Sequence, residues 1–369
     1  MLEGIDEATA QILQTYGFDS NLFETLAKRL RSGQAGPESN RISGTIAPPG
    51  AGEVSALPPI GSTARDRLTS LGVAAIAEGR VGAIVLAGGM ATRFGGVVKA
   101  GVEVFAGATF LDLKLRDMAA AARHGRVPVY LMTSFATDAE IAQMAAPYTT
   151  DARPIETFPQ LVSLRLTPEG ELFVGDDGKP SPYAPGHGDM SFALRRSGCL
   201  ERFRAAGGTT LFMSNVDNLT ATLDPAVIGA HLESGKAMTA EMAPKVAGDR
   251  GGAPARVDGV LQIVEGFRFP EDFDQDAIPV FNTNTLTFDA AALDRDFDLS
   301  WFAVSKTVDD RPVVQFEHLV GQLSAFLPTH FLRVARDGAD ARFQPVKDPE
   351  ELELRRPEIR RALEARGVL

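Results

Sequence analysis

The stretch VGAIVLAGGMATRFGGVVK, residues 81–99, decides how the rest of the chain is read. Its opening run, residues 81–87, is unbroken apolar sequence closed by glycines, the pattern of a strand buried on both faces. Glycines directly after such a strand let the backbone approach a ligand closely, and successive N–H groups there form a concave anion site. A tight turn whose glycines merely permit φ > 0 has the same spacing, so both readings stand. Neither common nucleotide fingerprint applies: G-x-G-x-x-G is absent, and no Gly-Lys-Ser/Thr follows. Arg93 and Lys99 flank the loop as a polyphosphate would require, or as ordinary solvated cations.

Outward from this strand the chain alternates. Leu111, Leu115, Met118 and Ala122 share a helical face, and residues 127–132 (VPVYLM) are again apolar and β-rich. Thr137 or Asp138 caps a helix to about 144; a helix over 189–206 precedes the strand 210–214 (TLFMS). Asp224 as N-cap, Pro225 at the first helical position and Gly235 past the end frame another helix. Alternation of this kind predicts an α/β fold: a doubly wound, mostly parallel sheet covered on both sides, with ligands at the carboxyl ends of its strands. On the N-terminal side, Leu22, Phe23, Leu26 and Leu30 recur at helix spacing, and a further helix is expected over 64–78. Between them, residues 32–59 are rich in Gly, Pro and Ser and read as an extended, unpacked connector. The expected organisation is a helical N-terminal appendage (1–79), a main domain (80–335) and a short C-terminal segment (336–369) ending in a charged helix capped by Asp348 and Pro349.

Composition narrows the partners. The 369 residues are 44% hydrophobic and 23% charged, close to globular averages, which excludes disordered, collagen-like and coiled-coil classes. A net charge of -11 disfavours nucleic acid and anionic membrane surfaces, so a phosphorylated ligand needs locally placed cations. Cys199 is the single cysteine, and the five histidines lack zinc-site spacing, which suits a reducing cytoplasm. The uncharged run 81–92 falls short of the ~20 residues a membrane span requires.

Several motifs follow the glycine loop in order. Residues 132–135 (MTSF) end the second strand; Phe158, Pro159 and Gln160 come next; residues 183–190 (YAPGHGDM) place His187 between two glycines, with Asp189 as an expected N-cap. Residues 214–218 (SNVDN) stand at a strand's carboxyl end, where hard oxygen ligands suit Mg²⁺, which takes one or two carboxylates plus phosphate oxygens and water. An aspartate capping a turn is the alternative for Asp217. Residues 281–284 (FNTN) carry two amides two positions apart, which in an extended segment project to one side and suit sugar hydroxyls. Lys245, the pair Gly251 and Gly252, and Glu265 precede them; residues 316–319 (FEHL) with Gly321, and 342–347 (RFQPVK), follow.

Taken together, in this order and over roughly 80–350, these motifs resemble the UTP:sugar-1-phosphate uridylyltransferases, most closely the eukaryotic-type UDP-glucose pyrophosphorylases. That family's loop is G-G-x-G-T-x-x-G followed by a lysine. Here Ala91 replaces a glycine, and the stretch to Lys99 is one residue shorter and lacks a proline. The resemblance implies a Rossmann-like, GT-A-type nucleotidyltransferase domain that uses Mg²⁺ on Asp217, UTP and a sugar 1-phosphate. It implies Arg93, Lys99 and Lys347 as catalytic cations, and nucleotide contacts from Gly88, Gly89, Met132, Gln160, Gly188 and Asn215. It further implies sugar contacts from His187, Gly252, Glu265, Phe281, Asn282 and Asn284. Residues 316–321 match a family helix. Eukaryotic relatives continue into a β-helical C-terminal domain, which this chain lacks, so a monomer or weak oligomer is expected. Glucose 1-phosphate is the expected acceptor; an N-acetylhexosamine 1-phosphate or a broad sugar range is the alternative. A glycosyltransferase would need a D-x-D motif, whereas Asp217 is followed by Asn. A non-catalytic nucleotide-sugar binding protein is the reading from another class.

Overall fold

The computed structural model describes residues 5–246, 249 and 251–369. Its framework is an eight-stranded sheet: β1 (Val54–Ala56), β2 (Val81–Leu86), β3 (Val129–Thr133), β4 (Ile155–Pro159), β5 (Thr210–Asn215), β6 (Met238–Pro244), β7 (Val280–Asp289) and β8 (Thr329–Arg333). The spatial order is β1-β8-β6-β7-β5-β2-β3-β4. Every neighbouring pair is parallel except the two involving β7, which runs antiparallel to both β5 and β6.

Successive side chains of a strand point to opposite faces, and here both faces are buried. Ala83, Val85, Phe212, Val129 and Leu131 enter one core, whereas Ile84, Leu211, Met213, Tyr130 and Met132 enter the other. The first core is closed by helices α3 (Thr63–Ala77), α4 (Phe110–Ala121), α5 (Asp138–Ala145), α8 (Pro225–Ser234) and α9 (Pro349–Ala365), and the second by α6 (Met190–Arg196) and α7 (Cys199–Ala205). The frame read for α8 is borne out: Asp224 accepts the Ala226 N–H, Pro225 is first in the helix, and Gly235 ends it at φ 59°.

Three expectations are corrected. The single helix over 189–206 is two helices, because Gly198 adopts φ 74° and ends the first. The stretch 32–59 is not merely a connector: residues Val54–Ala56 form the edge strand β1, and Ile46–Ala47 pair with Ala253–Val257. Glycine and proline richness masks strands this short, because their pairing partners lie far along the chain. Residues 316–321 are not a helix either: Arg311–Glu317 is a strand paired with Phe302–Val308, and a 3-10 helix begins at Val320. At the N-terminus, α1 (Glu7–Thr15) and α2 (Ser20–Arg31) pack Leu13, Phe23 and Leu26 against Val314 and Phe316 of that hairpin.

Helices α3 and α8 meet at two glycines. A methyl group at Gly72 would overlap the backbone carbonyl of Pro225, and one at Gly229 would overlap that of Leu68. Overpacking typically costs ~1–3 kcal/mol, more where backbone must move. Gly72→Ala and Gly229→Ala are each expected to lower stability by about 2 kcal/mol or more, read from denaturant midpoints; unchanged midpoints would contradict the contact.

Candidate active site

The loop after β2 is a small hairpin in which Met90–Ala91 pair with Val97–Val98. Gly95 and Gly96 make its turn at φ 87° and 79°, while Ala91 sits at φ -87°, so its methyl group is accommodated without strain and is buried. The hairpin returns the chain to its start: the Lys99 N–H donates to Gly89 O at 3.1 Å. A side chain at Gly88 would strike the Thr133 backbone and the Gln160 amide, whereas one at Gly89 would meet nothing within 4 Å. Ser134 holds this arrangement by donating its hydroxyl to Gly88 O at 3.0 Å.

Beside the loop opens a cleft of about 410 Å³, lined by Gly88, Gly89, Lys99, Met132, Gln160, His187, Asn215 and Asp217. The Lys99 ammonium is ion-paired with the Asp217 carboxylate, each side chain 17% exposed. Gln160 Oε1 is buried with no partner among the described residues, leaving an acceptor for a ligand N–H. His187 Nδ1 accepts the Val320 N–H at 3.1 Å, so the neutral ring carries its proton on Nε2 and offers a donor. Burial, with the nearby His318, depresses its pKa from 6.5 to about 4. Asp189 precedes α6 as expected but does not cap it with its side chain. Its carboxylate instead accepts the Leu161 N–H at 2.9 Å and pairs with His318, which stacks on Trp301 at 4.1 Å.

A second cleft, of about 560 Å³, shares Asn215 and Asp217 with the first and adds Gly251, Phe281, Asn282, Asn284, Arg336, Arg355 and Lys347. The reversed direction of β7 brings its first residues to the carboxyl ends of β5 and β6. There a bulge interrupts the β6–β7 register and Asn284 takes φ 56°, a conformation asparagine tolerates better than most residues. Asn284 Nδ2 then donates to Asn215 Oδ1 at 3.0 Å, and its N–H to Asn282 Oδ1 at 3.0 Å.

Lys347 reaches this cleft through Asn218. That side chain donates to Arg342 O at 3.1 Å and accepts the Gln344 N–H at 3.0 Å, while the Val346 N–H donates to Asp217 O at 3.3 Å. Arg342 lies fully buried and bidentate on Glu241, at 2.5 and 2.7 Å, and donates to Thr222 O at 2.9 Å. Burial opposes its charge, but Glu241 outweighs that and raises its pKa. Asn218 and Arg342 stood inside recognised motifs, yet their roles carried no local signal, because both act on partners a hundred or more positions away.

Five motif residues lie outside both cleft linings. Arg93 is exposed on the hairpin and lines neither cleft. Gly188 backs onto the His318–Leu319 backbone, and Gly186 lines the first cleft instead. Gly252 and Glu265 pack against each other outside both lining sets, and burial raises the Glu265 pKa against the opposing Arg268. Lys245 donates to Gln275 O at 2.8 Å.

The model of the UTP--glucose-1-phosphate uridylyltransferase family matches residues 45–359, from just before β1 into α9. The chain belongs to this family. Among its curated relatives, the UTP--glucose-1-phosphate uridylyltransferase of Solanum tuberosum is 30% identical over 72% of this chain and 59% of its own length. That of Saccharomyces cerevisiae is 30% identical over 73% and 57%. The chain thus spans less than two thirds of the length of these family members. Among solved structures, the Trypanosoma brucei UDP-glucose phosphorylase superposes with a TM-score of 0.73 at 23% identity, covering 94% of this chain and 77% of that one. The Trypanosoma brucei uridine diphosphate N-acetylglucosamine pyrophosphorylase gives 0.71 at 17%, covering 99% and 85%. These likenesses establish the shared α/β fold.

The His187 pKa lies below its ordinary value. Between pH 6.5 and about 4 the unfolded chain therefore holds a proton that the folded ring lacks, and stability falls as pH drops through that window. Buried His231, also depressed to about 4, adds to the same slope. An NMR titration of the His187 ring should give a midpoint near 4 with the proton on Nε2 above it; a midpoint near 6.5 would refute the assignment.

Proposed function

We propose that the chain transfers a uridylyl group from UTP to glucose 1-phosphate, giving UDP-glucose and pyrophosphate. The observation that carries this reading is the meeting of two clefts on Asn215 and Asp217, with Lys99 in one and Lys347 in the other. In this reading the first cleft takes the nucleotide. Gly89 leaves room for phosphates, the unpartnered Gln160 Oε1 accepts from the uracil N–H, and His187 Nε2–H donates. The second takes the sugar 1-phosphate, with Asn282 and Asn284 facing hydroxyls and Lys347 the phosphate.

The donor set fits Mg²⁺: one carboxylate at the junction of the clefts, completed by phosphate oxygens and water. Among the described residues no cluster of three or more acidic, His or Cys side chains exists to hold a metal alone. When bound on Asp217, the ion would supply charge neutralisation at the transferring phosphate. The attacking phosphate oxygen is already anionic, so no general base is required, and the protein's task is alignment and charge stabilisation. Lys99 can exchange the Asp217 carboxylate for phosphate oxygens, and Lys347 holds the nucleophile. Arg93 acts only if the hairpin folds over the triphosphate.

The test is pyrophosphate release from UTP with a panel of sugar 1-phosphates and Mg²⁺. Glucose 1-phosphate should give the highest kcat/KM; Lys347→Ala and Asp217→Ala should fold normally and lose ~10²-fold or more in turnover. Near wild-type rates in either variant would remove that residue's role. No turnover with any sugar, alongside UDP-sugar binding, would instead mark a binding protein.

A further inference from the structure

The segment that carries Asn215, Asp217 and Asn218 is irregular between the end of β5 and the Asp224 cap of α8. Its support comes from beneath. Lys114 projects from α4 and is 1% exposed; its ammonium donates to Ser214 Oγ at 3.0 Å and to Ala221 O at 2.7 Å. Those acceptors stand at the two ends of the segment. One turn along α4, Asp117 accepts the Leu223 N–H at 2.9 Å and secures the chain just beyond.

We infer that Lys114 is a positioning residue for the reaction: it staples residues 214–221 shut from below and so fixes where Asp217 stands between the two clefts. Packing alone does not account for an ammonium here, since a methionine of similar length would fill the space without the cost of desolvating a charge. Lys114 sits among the charges of Asp117, Arg342, Asp217 and Glu241. Burial pushes its pKa down to about 7, with Asp117 opposing. As a neutral amine it still has two N–H groups for its two acceptors, so the staple does not depend on its charge. Lys114 touches no cleft and no proposed substrate contact; it acts through the backbone on which Asp217 is mounted.

The catalytic part of this inference rests on the uridylyl-transfer reading, whereas the staple is tested without turnover. In the full ligand-free chain, Lys114→Met should speed hydrogen exchange across 214–223 by roughly 10-fold, the loss of one or two hydrogen bonds, while α6 and α7 across the sheet keep their rates. In the assay, the Mg²⁺ concentration for half-maximal rate should rise about 10-fold, a change that a smaller folded fraction cannot produce. Ser214→Ala, which removes one leg, should shift both readouts the same way by less, and decides the matter if Lys114→Met does not fold. Wild-type exchange in the segment, or an unchanged Mg²⁺ dependence in an active variant, would overturn the proposal. If the wild-type chain turns over no UTP, the functional reading fails while hydrogen exchange still decides the staple.

Discussion

The buried guanidinium of Arg342 is the group on which the assembled site depends. A charge taken wholly out of water must be paired and hydrogen-bonded, or it costs several kcal/mol. Arg342 finds its partners on two separate stretches: Glu241 in β6, and the segment from β5 to α8, where Thr222 accepts from it and Asp224, at the cap of α8, lies 3.7 Å away. Satisfying one side chain therefore locks the C-terminal segment, a sheet strand and the segment that carries Asp217 into one relative position. Asp224 is itself shared, since it also pairs with Arg65 of α3 at 2.8 Å. With Arg342 placed, Asn218 needs only to clasp the backbone of 342–344 for Lys347 to arrive at the second cleft.

The other wall of the site is supported differently. Residues 185–188 lie against the strand end 317–320 by backbone bonds: the Gly188 N–H donates to His318 O at 2.9 Å and the His318 N–H to Pro185 O at 3.0 Å. Asp189 and Trp301 hold the His318 ring, and α1 and α2 pack behind the hairpin that ends there. The N-terminal helices thus bear on His187 through an intervening layer, although the family match begins only at residue 45.

What was legible in the sequence follows a physical division. Buried strands and capped helices announce themselves through local periodicity and end signals, so β2, β3, β5 and α8 were readable, as was the mostly parallel sheet. The motif residues Gly88, Gly89, Met132, Gln160, His187, Asn215, Asp217, Phe281, Asn282, Asn284, Lys99 and Lys347 come together around the two clefts. Features set by distant partners were not legible. Asp189 has the residue type of an N-cap, but a buried histidine and a loop N–H claim its carboxylate. Strand Val54–Ala56 has too few residues to show a period, and Lys114, in the middle of an apolar helix face, has nothing beside it in sequence to reveal Ser214 and Ala221. The reversed strand β7 is a case between: F-N-T-N was recognisable, but the direction that carries it to Asn215 belongs to topology alone.

The crossing of α3 and α8 has a consequence for how this chain can vary over generations. At Gly72 and at Gly229 the obstacle is the other helix's backbone rather than a side chain. No substitution in the partner helix can therefore make room, because every residue type brings the same carbonyl. The two positions act as independent vetoes without compensating pairs, and a lineage can escape either only by shifting a whole helix.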